Sequence, residues 1–142
     1  MYVIFSAIAF LDAIRSGEVD EFMTLLTAFL ASIPYDLEET KDKDEKYYQM
    51  IFHILFTVMG QFITSEVKSA TGRADAVVKT ADTIYVFEFK MEKNATAEGA
   101  LAQIDRTGYL IPYTADGRRL VKVGVELSIE ARGIKRWVTN GS

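Results

Sequence analysis

Residues 72–90 read GRADAVVKTADTIYVFEFK. Asp75 precedes a short apolar run, and Glu88 and Lys90 interrupt a second run built from Ile, Tyr, Val and Phe. β-Branched and aromatic residues on either side of a Thr-Ala-Asp break predict two strands, at about 73–79 and 83–90, joined as a hairpin. An even-length loop centred on Ala81 and Asp82 pairs Lys79 with Ile84, Val77 with Val86 and Asp75 with Glu88. Residues directly opposed across such a ladder share a face with Cβ atoms about 5 Å apart. Lys90, two positions beyond Glu88, shares that face too. Asp75, Glu88 and Lys90 are therefore expected to converge at one end of a sheet.

Two opposed carboxylates repel and lose hydration, a cost that a divalent cation between them offsets. Their lone pairs suit a hard ion. Asp75, Glu88 and the backbone carbonyl of Phe89 form an oxygen set of the kind Mg²⁺ takes while keeping several waters, with Mn²⁺ as a substitute. Lys90 beside them is placed to orient an attacking water or to neutralise charge growing on a phosphate.

The rest of the chain supports a scaffold for that site. Its 142 residues, 49% hydrophobic and 25% charged, suffice for one globular domain with its own core. Cysteine is absent, which excludes disulfides, thiolate metal sites and a cysteine nucleophile. That fits a cytoplasmic setting. The apolar start, MYVIFSAIAFL, is too short to span a bilayer and lacks the basic residues of a signal peptide, so no membrane association is expected. A net charge of −4 and a pI near 5.0 argue against passive polyanion binding through a broad basic patch. Contact with nucleic acid then calls for a local patch or a bridging metal ion.

Residues 2–15 and 18–31 read as a helical hairpin broken at Ser16-Gly17. Phe5, Ile8, Phe22 and Phe29 offer more apolar surface than a small sheet covers, which would make these front helices a homodimer interface. SIPYDLEETKDKD reads as a charged surface loop. Glu45–Met59 is apolar on nearly every face and predicts a buried helix stopped by Gly60, with His53 as a core or pocket-wall group rather than a general base. QFITSEVKSA alternates as a strand does. A helix capped by Thr96 follows the hairpin, then a turn at ADGRR, a strand through LVKVGVEL and a short final strand at IKRWVT, where Trp137 closes the core edge. Arg73, Arg118, Arg119, Arg132, Lys135 and Arg136 are candidates for phosphate contacts, with surface solvation as the default. A hairpin meander followed by a helical crossover predicts an α/β fold, a mixed sheet with helices on both faces. Residues 1–34 form the N-terminal helical hairpin and 35–142 the core of a single globular unit.

GRAD with Asp75, followed by EFK with Glu88 and Lys90, resembles the signature of the PD-(D/E)XK nuclease superfamily. The predicted order matches that family's restriction-endonuclease-like αβββαβ core. From SIPYDL through EKYYQMIFHILF, YVFEFK, ALAQIDRTGY and KVGVELS, over roughly residues 33–138, the chain is similar to the nuclease-like C-terminal domain of bacterial AAA-ATPase-like proteins. Ala74 stands where the family name has proline. The resemblance implies Asp75 and Glu88 as metal ligands and Lys90 as the catalytic lysine. It adds Glu45, at a position where many members place a further acidic ligand, although a charge favourable to a helix N-terminus reads equally well there. Gln103 and Tyr109 resemble a glutamine and tyrosine on the second core helix of some exonuclease branches, at a slightly longer spacing. It also implies an ATPase-like companion module, which these residues do not include. The expected activity is a Mg²⁺-dependent deoxyribonuclease in which a Mg²⁺-activated water attacks a DNA phosphodiester. The alternative is a module of the same fold that binds nucleic acid or a partner protein without cutting.

Overall fold

The computed structural model describes residues 2–32, 45–58, 64–67, 76–108 and 110–141, with no side-chain description at 2–7, 45, 46, 49, 56, 58, 64–67 and 141. The elements run in the order α1 (Tyr2–Ser16), α2 (Val19–Ala31), α3 (Glu45–Val58), β1 (Thr64–Val67), β2 (Ala76–Lys79), β3 (Thr83–Met91), α4 (Ala97–Arg106), a single 3₁₀ turn at Ile111–Tyr113, β4 (Arg119–Ser128) and β5 (Gly133–Gly141). From α3 to β4 this is the αβββαβ order expected from the sequence. The strands form one sheet in the order β1-β2-β3-β4-β5. Among the described strands only the β3–β4 pair is parallel, because α4 carries the chain back across the sheet between them.

The hairpin register is the expected one. Lys79 pairs with Ile84, Val77 with Val86 and Ala76 with Phe87. The loop closes through Thr80, whose amide donates to the Thr83 carbonyl at 2.8 Å and whose hydroxyl accepts from the Thr83 amide at 3.1 Å. Asp75, expected opposite Glu88, lies outside the described residues.

The two faces of the sheet bury different things. On one, Phe10, Ile14, Phe22, Leu26, Tyr48 and Phe52 from α1, α2 and α3 pack over Tyr85, Phe87, Phe89 and Val123. Phe52 meets Phe87 and Phe89 edge-on at centroid distances of 4.8 and 5.1 Å, an arrangement favoured by the ring quadrupoles. On the other face α4 covers Val77, Ile84 and Val86 with Ile104. β3 is central and covered on both sides, which explains its near-continuous apolar run.

Two expectations are corrected here. Phe22 is fully buried within the chain, against Phe10, Phe52 and Phe87, and the half-buried Phe29 packs edge-on against Phe10 at 6.0 Å, so the chain's own core engages both. Ile8 remains exposed, and the Phe5 side chain lies outside the described residues. Nor is α3 buried all round. It shares its sheet face with α1 and α2, so Tyr48 and Phe52 point inward while Met50, His53, Ile54 and Thr57 face outward. His53 is therefore an exposed residue, not a core one.

Candidate active site

Glu88 and Lys90 project from the C-terminal half of β3 on the α4 side of the sheet, in the same row as Ile84 and Val86. The Glu88 side chain is 3% exposed and that of Lys90 23%. Glu88 Oε2 accepts from Gln103 Nε2 at 2.7 Å and lies 3.7 Å from Lys90 Nζ. The structure thus brings together Glu88, Lys90 and Gln103, three residues singled out from the sequence. Phe89, whose backbone carbonyl is the third member of the expected oxygen set, turns its ring into the opposite core. Glu45 opens α3 as expected, with its side chain outside the described residues, and Asp75 and Tyr109 lie outside them altogether.

Gln103 is held in place by the docking of α4. Thr96 caps the helix, its hydroxyl accepting from the Gly99 amide at 3.0 Å. The Ala97 amide, another donor that the helix itself leaves unsatisfied, donates to Glu126 Oε1 at 2.9 Å. Glu126 is buried on β4, where its register partner on β3 is Lys90. Between these contacts, Gly124 is the register partner of Glu88. A Cβ on Gly124 would collide with the Ala97 carbonyl and come within 2.6 Å of the Leu101 amide nitrogen, so the helix backbone rests directly on the strand.

An ion-pair network surrounds the start of α4. Arg136 of β5 donates to both Glu98 oxygens at 2.8 and 2.6 Å and lies 3.3 Å from Glu126 Oε1. Lys135 bonds Glu92 at 2.9 Å and lies 3.7 Å from Glu126 Oε2. The Arg136 guanidinium holds the Glu98 carboxyl down to about 2, and Glu98 in turn raises Arg136. Arg118, at the far end of the sheet, grips Asp116 through two nitrogens and reaches the Thr80 carbonyl at 2.9 Å. Arg118, Lys135 and Arg136, considered from the sequence as phosphate contacts, each engage protein carboxylates.

Gly124 and Glu126 were missed by sequence reasoning, although a signal was present. VGVEL sets a glycine and a carboxylate inside an apolar strand, the same anomaly that drew attention to Glu88 in VFEFK.

Among the described residues no three His, Cys, Asp or Glu side chains gather as a metal-holding group. The donor chemistry that is described nonetheless suits a hard cation: a buried carboxylate and an amide, with no sulfur or imidazole beside them. Among the described residues no helix is long and apolar enough to cross a membrane.

A mixed αβββαβ sheet carrying Glu-x-Lys on its central strand, backed by a helix after the hairpin, defines the restriction-endonuclease-like class of α/β fold. A family model described as the PD-(D/E)XK nuclease superfamily matches residues 43–137, from the start of α3 into β5, and the chain belongs to that superfamily. It is also 33% identical over 129 residues to the "Uncharacterized protein in vnfD 5'region" of Azotobacter chroococcum mcd 1, an alignment covering 89% of this chain and 25% of that protein. The chain therefore spans about a quarter of the length of that relative. No solved structure matches it.

Proposed function

We propose that the chain is a divalent-metal-dependent deoxyribonuclease domain, with Mg²⁺ as the ion and Mn²⁺ able to replace it. The observation that carries this reading is the convergence of Gln103 and Lys90 on one oxygen of the buried Glu88 carboxylate. A purely structural core has little use for a carboxylate there, since burying one is costly unless its charge is used or compensated. Asp75 enters the proposal from the sequence, as the residue that precedes Ala76 and that the hairpin spacing pairs with Glu88. Glu45 enters likewise, as the acidic residue opening α3.

In this reading Asp75, Glu88, the Phe89 carbonyl and Glu45 hold the ion, which when bound polarises a phosphoryl oxygen and eases deprotonation of the attacking water. Gln103 fixes the Glu88 carboxylate so that its oxygens are presented in one orientation. Lys90 offers a cation at the partly open rim, where its ammonium aligns the water and offsets charge growing on the phosphodiester. DNA is the proposed substrate, approached through the ion and Lys90 rather than through Arg118 and Arg136, which engage carboxylates. Pairing of two copies through the N-terminal helices is left to the exposed Ile8 and contributes nothing to this chemistry.

The test is calorimetric titration of Mg²⁺ and Mn²⁺ into the wild type, Asp75→Ala and Glu88→Gln, with cleavage assays on supercoiled, linear and single-stranded DNA. Ion binding lost in both variants, together with cleavage by the wild type alone, supports the enzyme. Absence of ion binding in the wild type would sink it and leave a nuclease-fold binding module.

A further inference from the structure

Glu126 lies outside the Glu-x-Lys pair, yet it links three parts of the site. It is buried on β4, it is the cross-strand partner of Lys90, and its Oε1 takes the Ala97 amide at the first turn of α4. A carboxylate is favoured at that place by the positive end of the helix dipole. Three further contacts surround Glu126 and that turn. Arg136 spans Glu126 and Glu98, Lys135 spans Glu126 and Glu92, and Gly124 lets the helix backbone seat against the strand next to Glu88.

The Ala97 contact fixes the position of α4 along its own axis, and the Gly124 contact fixes its depth over the sheet. Both settings pass along one rigid helix of ten residues to Gln103, whose amide must reach Glu88 Oε2 at 2.7 Å. Hydrogen-bond strength falls steeply with a few tenths of an ångström or a poor angle.

We propose that Glu126 is a positioning residue for the site, holding α4 from β4 so that Gln103 locks the Glu88 carboxylate. The proposal rests on the reading of Glu88 and Gln103 as site residues, but its primary readout needs neither metal nor activity. The carboxylate acts through its acceptor oxygen and its reach. Glu126→Gln, which keeps both, therefore preserves the Gln103 bond, whereas Glu126→Ala and the shorter Glu126→Asp lose it.

The experiment follows the Gln103 side-chain amide by ¹H–¹⁵N NMR in the full chain, assigned with Gln103→Ala. In the wild type and Glu126→Gln the amide protons are shifted by the carboxylate and slow to exchange. In Glu126→Ala, with the backbone spectrum otherwise folded, they move to free-amide positions and exchange roughly ten- to a hundredfold faster, the scale of one lost hydrogen bond to a charged group. A Mg²⁺ titration read on the same spectra weakens about tenfold in Glu126→Ala, the effect of losing a ligand's supporting contacts. Should Glu126→Ala not fold, the Gln and Asp variants decide: a retained amide signal in the first and a lost one in the second supports the proposal. Identical Gln103 signals in all folded variants overturn it. Failure of the wild type to bind Mg²⁺ removes the nuclease reading but leaves this comparison intact.

Discussion

Gln103 on α4 and Glu88 on β3 are joined by a 2.7 Å hydrogen bond across the helix–sheet interface, and Lys90 stands 3.7 Å from the same carboxylate oxygen. One neutral donor and one cation thus share a single acceptor. The donor lies within the packed interface and the cation at its partly open rim, so removing each has a different consequence.

Gln103→Ala withdraws the donor and leaves the buried carboxylate to be stabilised by Lys90 and any bound ion. Loss of a hydrogen bond to a charged group lowers stability by about 1.5–3 kcal/mol. It also weakens Mg²⁺ binding or cleavage by roughly ten- to a hundredfold, as for the loss of a ligand's supporting partner. Urea unfolding with and without Mg²⁺ separates the two effects, and a variant as stable and as tightly binding as the wild type would remove Gln103 from the site.

Lys90→Met keeps the aliphatic stem and deletes the charge. The ammonium repels a cation and attracts a phosphate, so the variant binds Mg²⁺ at least as tightly as the wild type while cleavage falls on the order of 10²–10³-fold. Calorimetry and single-turnover cleavage on the same preparation check both halves. Parallel losses in binding and cleavage would assign Lys90 to holding Glu88 rather than to the chemistry.

Gly124→Ala inserts a methyl group where the Ala97 carbonyl and Leu101 amide of α4 already touch the strand. Neither contact is the flexible end of a side chain, so the helix itself must shift. The expected cost is about 1–3 kcal/mol, seen as a lowered thermal midpoint. Gly117→Ala separates steric from conformational cost, since a Cβ there meets nothing within 4 Å but the backbone is left-handed, with φ at 94°. An unchanged midpoint for Gly124→Ala would show that α4 does not rest on β4 as closely as described.

Tyr85 ties α1 to the central strand, its hydroxyl donating to the Ile14 carbonyl at 2.7 Å in the core. Tyr85→Phe leaves that carbonyl without this donor and lowers stability by about 1–2 kcal/mol at neutral pH. Burial pushes the Tyr85 hydroxyl above its usual 10.0, against a smaller opposing pull from Arg119. A folded-state value above the unfolded one means that stability is complete below pH 10 and declines as pH rises through the folded value. The wild type therefore loses stability above pH 10 more steeply than Tyr85→Phe, which urea midpoints at pH 9 and pH 11 would reveal.

Glu98 governs the acid side. Arg136 holds its carboxyl at about 2, below the usual 4.5, so the contribution is complete above pH 4.5 and is lost as pH falls toward 2. Both partners are substantially exposed, so salt screens the effect. Melting of Glu98→Gln between pH 5 and pH 2.5 should show a shallower acid decline than the wild type, and the difference should shrink in 0.5 M NaCl. Equal slopes at low salt would mean that the pair does not form in solution.

Much of this molecule was legible in its sequence because the relevant signals are local. Runs of β-branched and aromatic residues on either side of a two-residue loop determined the hairpin, and the side-chain period of a strand then put Glu88 and Lys90 on one face. Thr96 announced the start of α4, and the helical crossover after β3 implied a parallel neighbour for that strand. Periodicity says which residues share a face but not what covers it. The exposure of His53, the burial of Phe22 inside the chain and the pairing of Arg136 with carboxylates follow from where, among the described residues, α1, α2 and α3 crowd one side of the sheet and α4 covers the other.

The sequence by itself determined the hairpin, the central strand and the superfamily signature. Only the tertiary structure decided that Glu126 and Gly124 seat α4 so that Gln103 meets Glu88. The physical reason is that the register of a parallel strand and the depth of the helix above it are set by packing between segments distant in the chain, where no local turn geometry or repeat constrains them.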